Sequence, residues 1–354
     1  MSIVTFDLRF PDPEFAEAFR AYVNYFEDLA GVIHGEFGWE ESLVDGVYAA
    51  VGGHQAVRQI QRRRPTPVQL RTLELALRKA WGFLRRAQRE VADPESYDEE
   101  ANAWLPEQCY YAVYHAVLAL AVATGQHVPR KHTPALKLMG KEVRRGLLPY
   151  PWSAWCEGGP GTGEHRFGGF SPSGEVHVLS RPDPDTAPAR LAMFLRTTRK
   201  KELDRQFEEE RHKKVAPGRT RRNLSGDAKR EMARRVAATT LFDVFWRLRK
   251  KAHYDDADVF VLGAVSELDA RRFGSALLIV TDATVAAIEA VVAASVGPDP
   301  LARMTSAYAR KTDAEPGSLM ARRAVAWSAL EESRVRSSRV PRRTITRSPG
   351  RSAW

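Results

Sequence analysis

The chain has 354 residues, 44% of them hydrophobic, which is enough to bury one large core or two modest ones. Lysine and arginine number 54 against 44 acids, a formal net charge of +10, and this balance favours polyanionic partners. Cys109 and Cys156 have no CxxC neighbour, which argues against a disulfide framework or a thiolate zinc site. No signal-peptide pattern opens the sequence and the most apolar stretches contain His, Asp or Glu, so we expect a cytoplasmic protein without membrane spans.

The first 64 residues predict an N-terminal extension of mixed structure. Residues 3–10 alternate like an edge strand, and residues 11–30 carry an aromatic stripe at helical spacing. Residues 31–53 are rich in glycine, tryptophan and acids, which predicts a loop with a short strand. The arginines at 62–64, followed by two nearby prolines, mark a boundary.

Two helices are predicted next. Residues 67–91 read as an amphipathic helix, and residues 107–124 as a second, more apolar one. Residues 94–106, acidic and flanked by proline, form the predicted connection. His115 lies on an apolar face and His132 follows Lys131 in a predicted exposed loop, and we interpret both as structural residues.

Residues 141–224 form the next segment, which mixes turn-rich and charged stretches. The glycines, aromatics and turn residues of 149–180 indicate a β-hairpin or an irregular lobe. The glycine-rich string in this stretch lacks the Lys-Ser/Thr pair that ends a P-loop. Its histidines and cysteine match no known metal-ligand spacing, so we expect neither a metal nor a cofactor. Residues 190–214 predict a charged helix with a solvated face. A basic loop follows. It supplies phosphate contacts if it folds toward Arg247 and His253 of a partner subunit, and it is otherwise a solvated linker. Its candidate RNA-binding residues are Arg219, Arg221 and Arg222.

Residues 225–260 predict one long amphipathic helix with Ser225 as its N-cap. Basic side chains collect at its C-terminal end, where the helix dipole favours them. They are Arg247, Arg249, Lys250, Lys251 and His253, followed by Tyr254. Residues 269–296 predict a further apolar helix, ended by Pro298 and Pro300. From 304 onward the periodicity is lost except over 319–333, and the arginine-rich 334–354 predict a disordered tail that binds nucleic acid or only aids solubility.

Two of these segments carry motifs that resemble the HEPN family of helical domains. The matching residues of the first motif are Tyr110, Tyr111, Tyr114, His115, Lys131 and His132. In the second, Arg247 and His253 have five residues between them and resemble the family's Arg–His signature.

The resemblance, over roughly 67–140 and 225–296, implies a mainly α fold. The HEPN-like antiparallel helical bundle would comprise 65–140 and 225–297, interrupted by the 141–224 insertion. It would be preceded by the extension 1–64 and followed by 298–354, a C-terminal helix with a basic disordered tail.

The resemblance further implies a metal-independent endoribonuclease, in a toxin or defence context, whose homodimer brings two Arg–His motifs together. RNA carries its own nucleophile, the 2′-hydroxyl, so a proton carrier and a cation suffice. His253 fits the first role and Arg247 the second, with Asp243 orienting Arg247 through an ion pair. Arg249, one helical turn before His253, is the alternative partner unless the helix is distorted there. The candidate RNA contacts beside the motif are Lys250, Lys251 and Tyr254.

A second hypothesis is a noncatalytic helical module that binds nucleic acid, a nucleotide or a protein. Arg247 and His253 would then hold an interface, and the basic tail would recruit a polyanion. A third is a toxin-like chain neutralised by a regulatory protein partner. The sequence alone leaves these hypotheses open.

Overall fold

The computed structural model describes residues 13–39, 42–92, 101–159, 161–172, 174–213, 223–255, 257–264, 266–312, 314–315 and 317–339. Helices dominate this part of the chain, which confirms the mainly α prediction. The helices are α1 (Pro13–Phe37), α2 (Leu43–Gly53), α3 (Gln55–Arg58), α4 (Pro67–Ala92), α5 (Ala101–Thr124), α6 (His132–Arg144), α7 (Ala187–Lys213), α8 (Gly226–Arg235), α9 (Leu241–Lys250), α10 (Ala257–Leu262), α11 (Glu267–Val296), α12 (Pro298–Lys311) and α13 (Leu319–Arg339).

One small antiparallel sheet accompanies the helices. Its strands are β1 (Trp155–Gly158), β2 (His165–Gly168) and β3 (Thr239–Thr240), in the order β2-β1-β3. A 3₁₀ turn at Thr162–Glu164 joins β1 to β2, and a π-helical turn at Lys251–Asp255 follows α9.

Helix α11 is the centre of the core. It packs against α1, α2, α4 and α5, and its small and branched side chains are buried along most of its length. It is apolar and long enough to span a membrane by composition alone, but 89% of its most apolar window is buried inside the fold. Residues of α1, α2, α4, α5 and α9 belong to the same buried cluster. The helices of the predicted N-terminal extension therefore share one core with those of the predicted bundle.

The predicted loop and strand over 31–53 were wrong. Helix α1 continues to Phe37, and α2 occupies most of the rest. Burial of an apolar face outweighs the poor helix propensity of glycine here, since Ile33 and Val47 are fully buried. Gly46 permits the close approach of α2 to the end of α1, because a Cβ there would lie 1.8 Å from the carbonyl oxygen of Phe37.

Helix α4 confirms the helix predicted over 67–91, whereas α5 begins earlier than predicted. It starts at Ala101 and includes Pro106, which the sequence placed in a connection. Proline near a helix start removes at most one intrahelical hydrogen bond, and burial of Asn102 and Leu105 holds this turn against the core. Residues 93–100 lie outside the described part of the chain.

The single long helix predicted over 225–260 was wrong. Helix α8 does begin at the predicted cap, with the Ala228 amide donating to Ser225 Oγ at 3.2 Å. It ends at Arg235, and the chain then forms β3 before α9 begins. The buried Arg199 guanidinium explains the break, because it donates to the carbonyls of Ala233 at 2.8 Å and Ala237 at 2.5 Å. These carbonyls consequently have a partner outside the helical ladder.

The insertion contains the predicted hairpin, formed by β1 and β2. Helix α7 confirms the charged helix, but the prediction of a merely solvated face was incomplete. Arg190 and Arg199 are 0% and 1% exposed. Arg190 pairs with Asp28 of α1 and donates to the Val178 carbonyl at 2.7 Å. Helix α7 is thus anchored in the core through its arginines.

The C-terminal region holds more helix than predicted. Pro298 and Pro300 end α11 as expected, but they also open α12, since proline is well tolerated in a first helical turn. Helix α13 runs to Arg339, so residues 334–339 are helical rather than part of a disordered tail. Residues 340–354, the predicted strand over 3–10, and Arg219, Arg221 and Arg222 lie outside the described residues.

Candidate functional site

A cavity of about 660 Å³ opens where α6, α7 and α9 meet the end of α8. Seven basic and three acidic side chains line it, and we call it the cationic cleft. The basic residues are Lys137, Lys201, Arg205, Arg235, Arg247, Lys250 and Lys251, and the acidic ones are Glu202, Asp204 and Asp243. The structure therefore brings four of the predicted site residues, Asp243, Arg247, Lys250 and Lys251, to one cavity.

A capping box positions Asp243 in the first turn of α9. The backbone amide and the hydroxyl of Thr240 donate to Asp243 Oδ2 at 2.8 and 2.9 Å, while Thr240 itself caps the helix. Arg247 follows one helical turn later, and Lys250 another turn on. Because residues at this spacing share a helix face, α9 presents all three side chains to the cleft.

Asp243 titrates near neutrality. Burial raises the pKa of its carboxyl to about 7, against the hydrogen bonds from Thr240, and the negative charge of Glu202 adds to the rise. Glu202 behaves oppositely: although burial opposes it, hydrogen bonds from Arg205 and Gln206 hold its pKa below the ordinary value. Glu202 is thus ionised at neutral pH, while Asp243 exchanges a proton near pH 7.

Arg247 has neutral partners. Its Nη1 donates to Thr197 Oγ1 at 2.7 Å and to Thr198 Oγ1 at 3.0 Å, and its guanidinium lies 5.9 Å from the ring centre of Phe194. Within the described part of the chain, the predicted ion pair between Asp243 and Arg247 does not form, because Thr240 engages the carboxylate and α7 engages the guanidinium. The charge of Arg247 is therefore not neutralised by a carboxylate of the described residues.

His253 lies against a different helix. Its Nε2 is 3.0 Å from Glu107 Oε2 on α5, and its ring meets Trp104 edge-on at 5.1 Å between centroids. Arg249 lies 3.8 Å from the other oxygen of Glu107 and 5.2 Å from the ring centre of Trp246. Arg249 and His253 share one carboxylate, while Arg247 contacts α7.

This arrangement bears on the choice between Arg247 and Arg249 as the partner of His253. Arg249 shares the Glu107 carboxylate with His253, as residues one turn apart on a helix can. A helix distortion is also present, since the π-helical turn at Lys251–Asp255 begins between Arg249 and His253. Among the described residues, Arg247 contacts Thr197 and Thr198 on α7, whereas His253 contacts Glu107 on α5. The side chain of Tyr254 is outside the described residues.

The other two histidines of the resemblance have structural surroundings. His115 stacks on Phe83 at 5.8 Å, and burial lowers its pKa to about 4. His132 Nδ1 is 2.7 Å from the Tyr110 hydroxyl, and its ring stacks on Trp246 at 4.7 Å. Burial also lowers the pKa of His132. Both rings act as neutral members of an aromatic cluster between α5 and α9.

Sequence reasoning missed the opposite wall of the cleft. The residues it did not single out are Lys137 on α6, Lys201, Glu202 and Arg205 on α7, and Arg235 on α8. The spacing of Lys201 and Arg205 places them on one face of α7, a signal that was present in the sequence. Only the packing of α7 against α9 makes that face one side of a cavity.

Compared with known proteins, the chain matches no protein-family model, no curated protein and no solved structure at a significant level. The HEPN resemblance therefore rests on the two motifs alone.

Proposed function

We propose that this chain is a helical module that binds RNA in the cationic cleft through the RNA phosphates. The observation that carries the proposal is the convergence of seven basic side chains on one cavity, where the partners of Arg247 among the described residues are neutral. Each phosphate neutralised by a lysine or arginine releases counterions, and this release drives association. The overall charge of +10 acts in the same direction at longer range.

The composition of the cleft suits a phosphodiester chain better than a single small anion. Arg247 offers a planar fork of donors for phosphate oxygens, whereas Lys250 and Lys251 add point charges further along the same wall. Trp246 lines the same cavity and supplies an aromatic surface beside these cations. Cations that follow a backbone, interleaved with an aromatic ring, are typical of single-strand binding.

The test is fluorescence anisotropy with a labelled 12-nucleotide single-stranded RNA. We expect Arg247→Ala combined with Lys250→Ala to weaken binding about tenfold or more and to make the salt dependence shallower by roughly 1.4 in log–log slope, about 0.7 for each lost phosphate contact. The matched control removes two exposed cations outside the cleft, Arg71→Ala with Lys311→Ala, and should stay within about threefold of wild type. Equal losses in both variants would overturn the cleft as the binding site.

A second candidate function is metal-independent cleavage of the bound RNA. It is favoured by Asp243, whose carboxyl exchanges a proton near pH 7 in the same cavity as Arg247. Such a group can accept the proton of a 2′-hydroxyl, while the guanidinium stabilises charge on the phosphate. In the HEPN-like alternative His253 takes the proton. His253 contacts α5, whereas Arg247 contacts α7. The HEPN-like mechanism therefore requires the Arg–His motif of a second protomer, as the resemblance implies.

Cleavage in EDTA, with the product ends identified as 2′,3′-cyclic phosphates, separates these mechanisms. Loss of cutting in Asp243→Asn with retention in His253→Ala would place proton transfer in the cleft. The opposite pattern would support the Arg–His motif. Intact RNA after prolonged incubation with a folded protein that binds it leaves binding as the function and overturns both catalytic candidates.

The HEPN resemblance adds three finer proposals: a HEPN-like bundle, a homodimer and a neutralising protein partner. The bundle is supported by the packing of α5, which carries Tyr110 and His115, on α9, which carries Arg247, and by their shared core with α11. The homodimer and the neutralising partner rest on the resemblance. Size-exclusion chromatography with light scattering tests the dimer directly.

A further inference from the structure

A second cavity is formed by other elements of the fold and shares no lining residue with the cationic cleft. It has a volume of about 1070 Å³ and is bounded by α1, the segment 179–182 and the first turns of α11. His34 and Trp39 line one side of it, and we call it the Trp39 groove. Its arginines are Arg20, Arg181, Arg271 and Arg272, against the carboxylates of Glu27 and Asp269.

Trp39 is exposed yet fixed in place. Its side chain is 68% exposed, and its ring stacks on that of buried His34 at 4.3 Å between centroids with an interplanar angle of 4°. His34 covers one face of the indole, and no other ring of the described residues stacks on Trp39, so the second face is directed to the groove that Trp39 lines. Trp39 thus presents a flat aromatic surface that is already oriented.

The backbone on both sides holds this orientation. The amide and the hydroxyl of Ser42 both donate to the Trp39 carbonyl at 2.9 Å, and the Gly38 amide donates to the His34 carbonyl at 3.0 Å. Gly38 has φ of +97°, and a Cβ there would lie 2.6 Å from Ser42 Oγ. Only glycine suits this turn, and the turn fixes the tryptophan over the histidine.

Two of the four arginines of the groove are available to an anion. Arg272 is paired with Glu27, with Nε 2.7 Å from Oε1, and Arg271 is paired with Glu267. Arg20 and Arg181 are exposed, and neither forms an ion pair with another described residue. An open aromatic face and two unneutralised guanidiniums therefore border the same cavity.

We propose that the Trp39 groove binds a nucleotide, with the nucleobase stacked on the open face of Trp39 and the phosphate held by Arg20 and Arg181. An inorganic anion would leave the indole unused, and an aliphatic ligand would leave the arginines unused. A planar ring joined to a phosphate uses both. The nucleotide is either free in solution or one unit of a single-stranded RNA, and these sources share the same recognition chemistry. The proposal does not depend on the function of the cationic cleft.

Isothermal titration calorimetry tests the proposal with adenosine 5′-monophosphate, ribose 5-phosphate and hexa-adenylate as the probes. All titrations use the full chain carrying Arg247→Ala and Lys250→Ala, so that binding in the cationic cleft cannot mask or mimic the result. We expect Trp39→Ala to weaken binding of the base-containing probes about tenfold or more, because a stacked base is lost. Trp39→Phe should retain most of the affinity, and Arg181→Ala should weaken binding of all three probes.

Trp104→Ala is the matched control, because Trp104 is also exposed, at 57%, but does not line the groove. It should bind like its parent. Comparable affinities for the monophosphate and the hexamer identify a free nucleotide as the ligand, whereas a large preference for the hexamer identifies single-stranded RNA. The proposal is overturned if neither base-containing probe binds at millimolar concentration, or if Trp39→Ala, folded by circular dichroism, binds as tightly as the parent.

Discussion

Arginine guanidiniums occur both in the buried core and in the cationic cleft, but with different surroundings. Arg190, Arg199 and Arg323 are at most 1% exposed, and each meets carboxylates or several backbone carbonyls. Arg247 is half-buried and, among the described residues, contacts two hydroxyls and a ring, in a cavity shared with other cations. The difference lies in burial and in the number of acceptors: a guanidinium enclosed by buried carboxylates or carbonyls is structural, whereas a half-buried one with two hydroxyl partners keeps its charge accessible to an anion.

Arg323 is the clearest structural case. It joins α13 to α11, with Asp282 as one partner and Glu289 Oε2 at 3.1 Å as the other. Glu289 also accepts from Tyr48 and Trp81, so this network ties four helices together. Burial opposes its charge, but Asp282 and Glu289 outweigh this and raise the pKa of Arg323. The guanidinium therefore stays charged inside the core.

The largest expected effect is the loss of this buried arginine. Arg323→Ala leaves two carboxylates buried without their cation, so we expect the free energy of unfolding to fall by about 3–5 kcal/mol. Urea denaturation followed by circular dichroism measures this. Arg247→Ala should cost less than about 1 kcal/mol, since it removes hydrogen bonds to neutral hydroxyls that water can replace. Similar losses in the two variants would break the distinction between structural and binding arginines.

The next effect concerns the break between α8 and α9. Arg199→Ala removes the donors that satisfy the carbonyls of Ala233 and Ala237, and we expect it to lower the free energy of unfolding by about 2–3 kcal/mol. Arg234→Ala is the control, since Arg234 forms an exposed pair with Glu231 and no other ion pair within the described residues, and its loss should cost under about 0.5 kcal/mol. Thermal unfolding of both variants measures the contrast. Indistinguishable melting curves would mean that Arg199 does not hold the break.

A third effect concerns the pH dependence of stability that Asp243 contributes in the cleft. The folded-state pKa of Asp243, about 7, lies above its ordinary value of 3.8, so the folded protein holds this proton more tightly than the unfolded chain. The contribution of Asp243 to stability is thus fully present below about pH 4 and is lost as the pH rises through 7. Asp243→Asn should lack this decline when urea denaturation is compared between pH 5 and 8.

The same proton should govern the ligand. RNA affinity of the wild type should rise about twofold to threefold more than that of Asp243→Asn as the pH falls from 8 to 6, because a neutral carboxyl no longer repels phosphate. Anisotropy titrations at both pH values provide the measurement. Parallel pH dependence in the two proteins would show that Asp243 does not titrate in this range.

Local signals in the sequence identified much of the fold. The helical spacing of α4, α7 and α11 and the cap at Ser225 were predicted from residues within each element, and the structure has them. What failed depended on distant partners. The break after α8 requires Arg199 of α7, and the helix over 31–37 requires burial against the core.

The candidate site likewise contains a part that the sequence predicts and a part that only tertiary packing supplies. Asp243, Arg247, Lys250 and Lys251 are close in sequence and follow from one helical segment. Lys201 and Arg205 complete the cleft only because α7 packs beside α9, and His253 is drawn to α5 by Glu107. Pairings between elements of this kind are set by tertiary packing, which helix periodicity alone does not contain.

Hydrogen–deuterium exchange of the wild-type protein with and without single-stranded RNA is the decisive test of RNA binding in the cationic cleft. We expect slower exchange on RNA binding in the segments that line the cationic cleft, residues 198–206 and 239–251, with no change in α12, which does not line it. Protection confined to residues outside both segments, such as the arginine-rich 340–354, would contradict the cleft as the site of RNA binding.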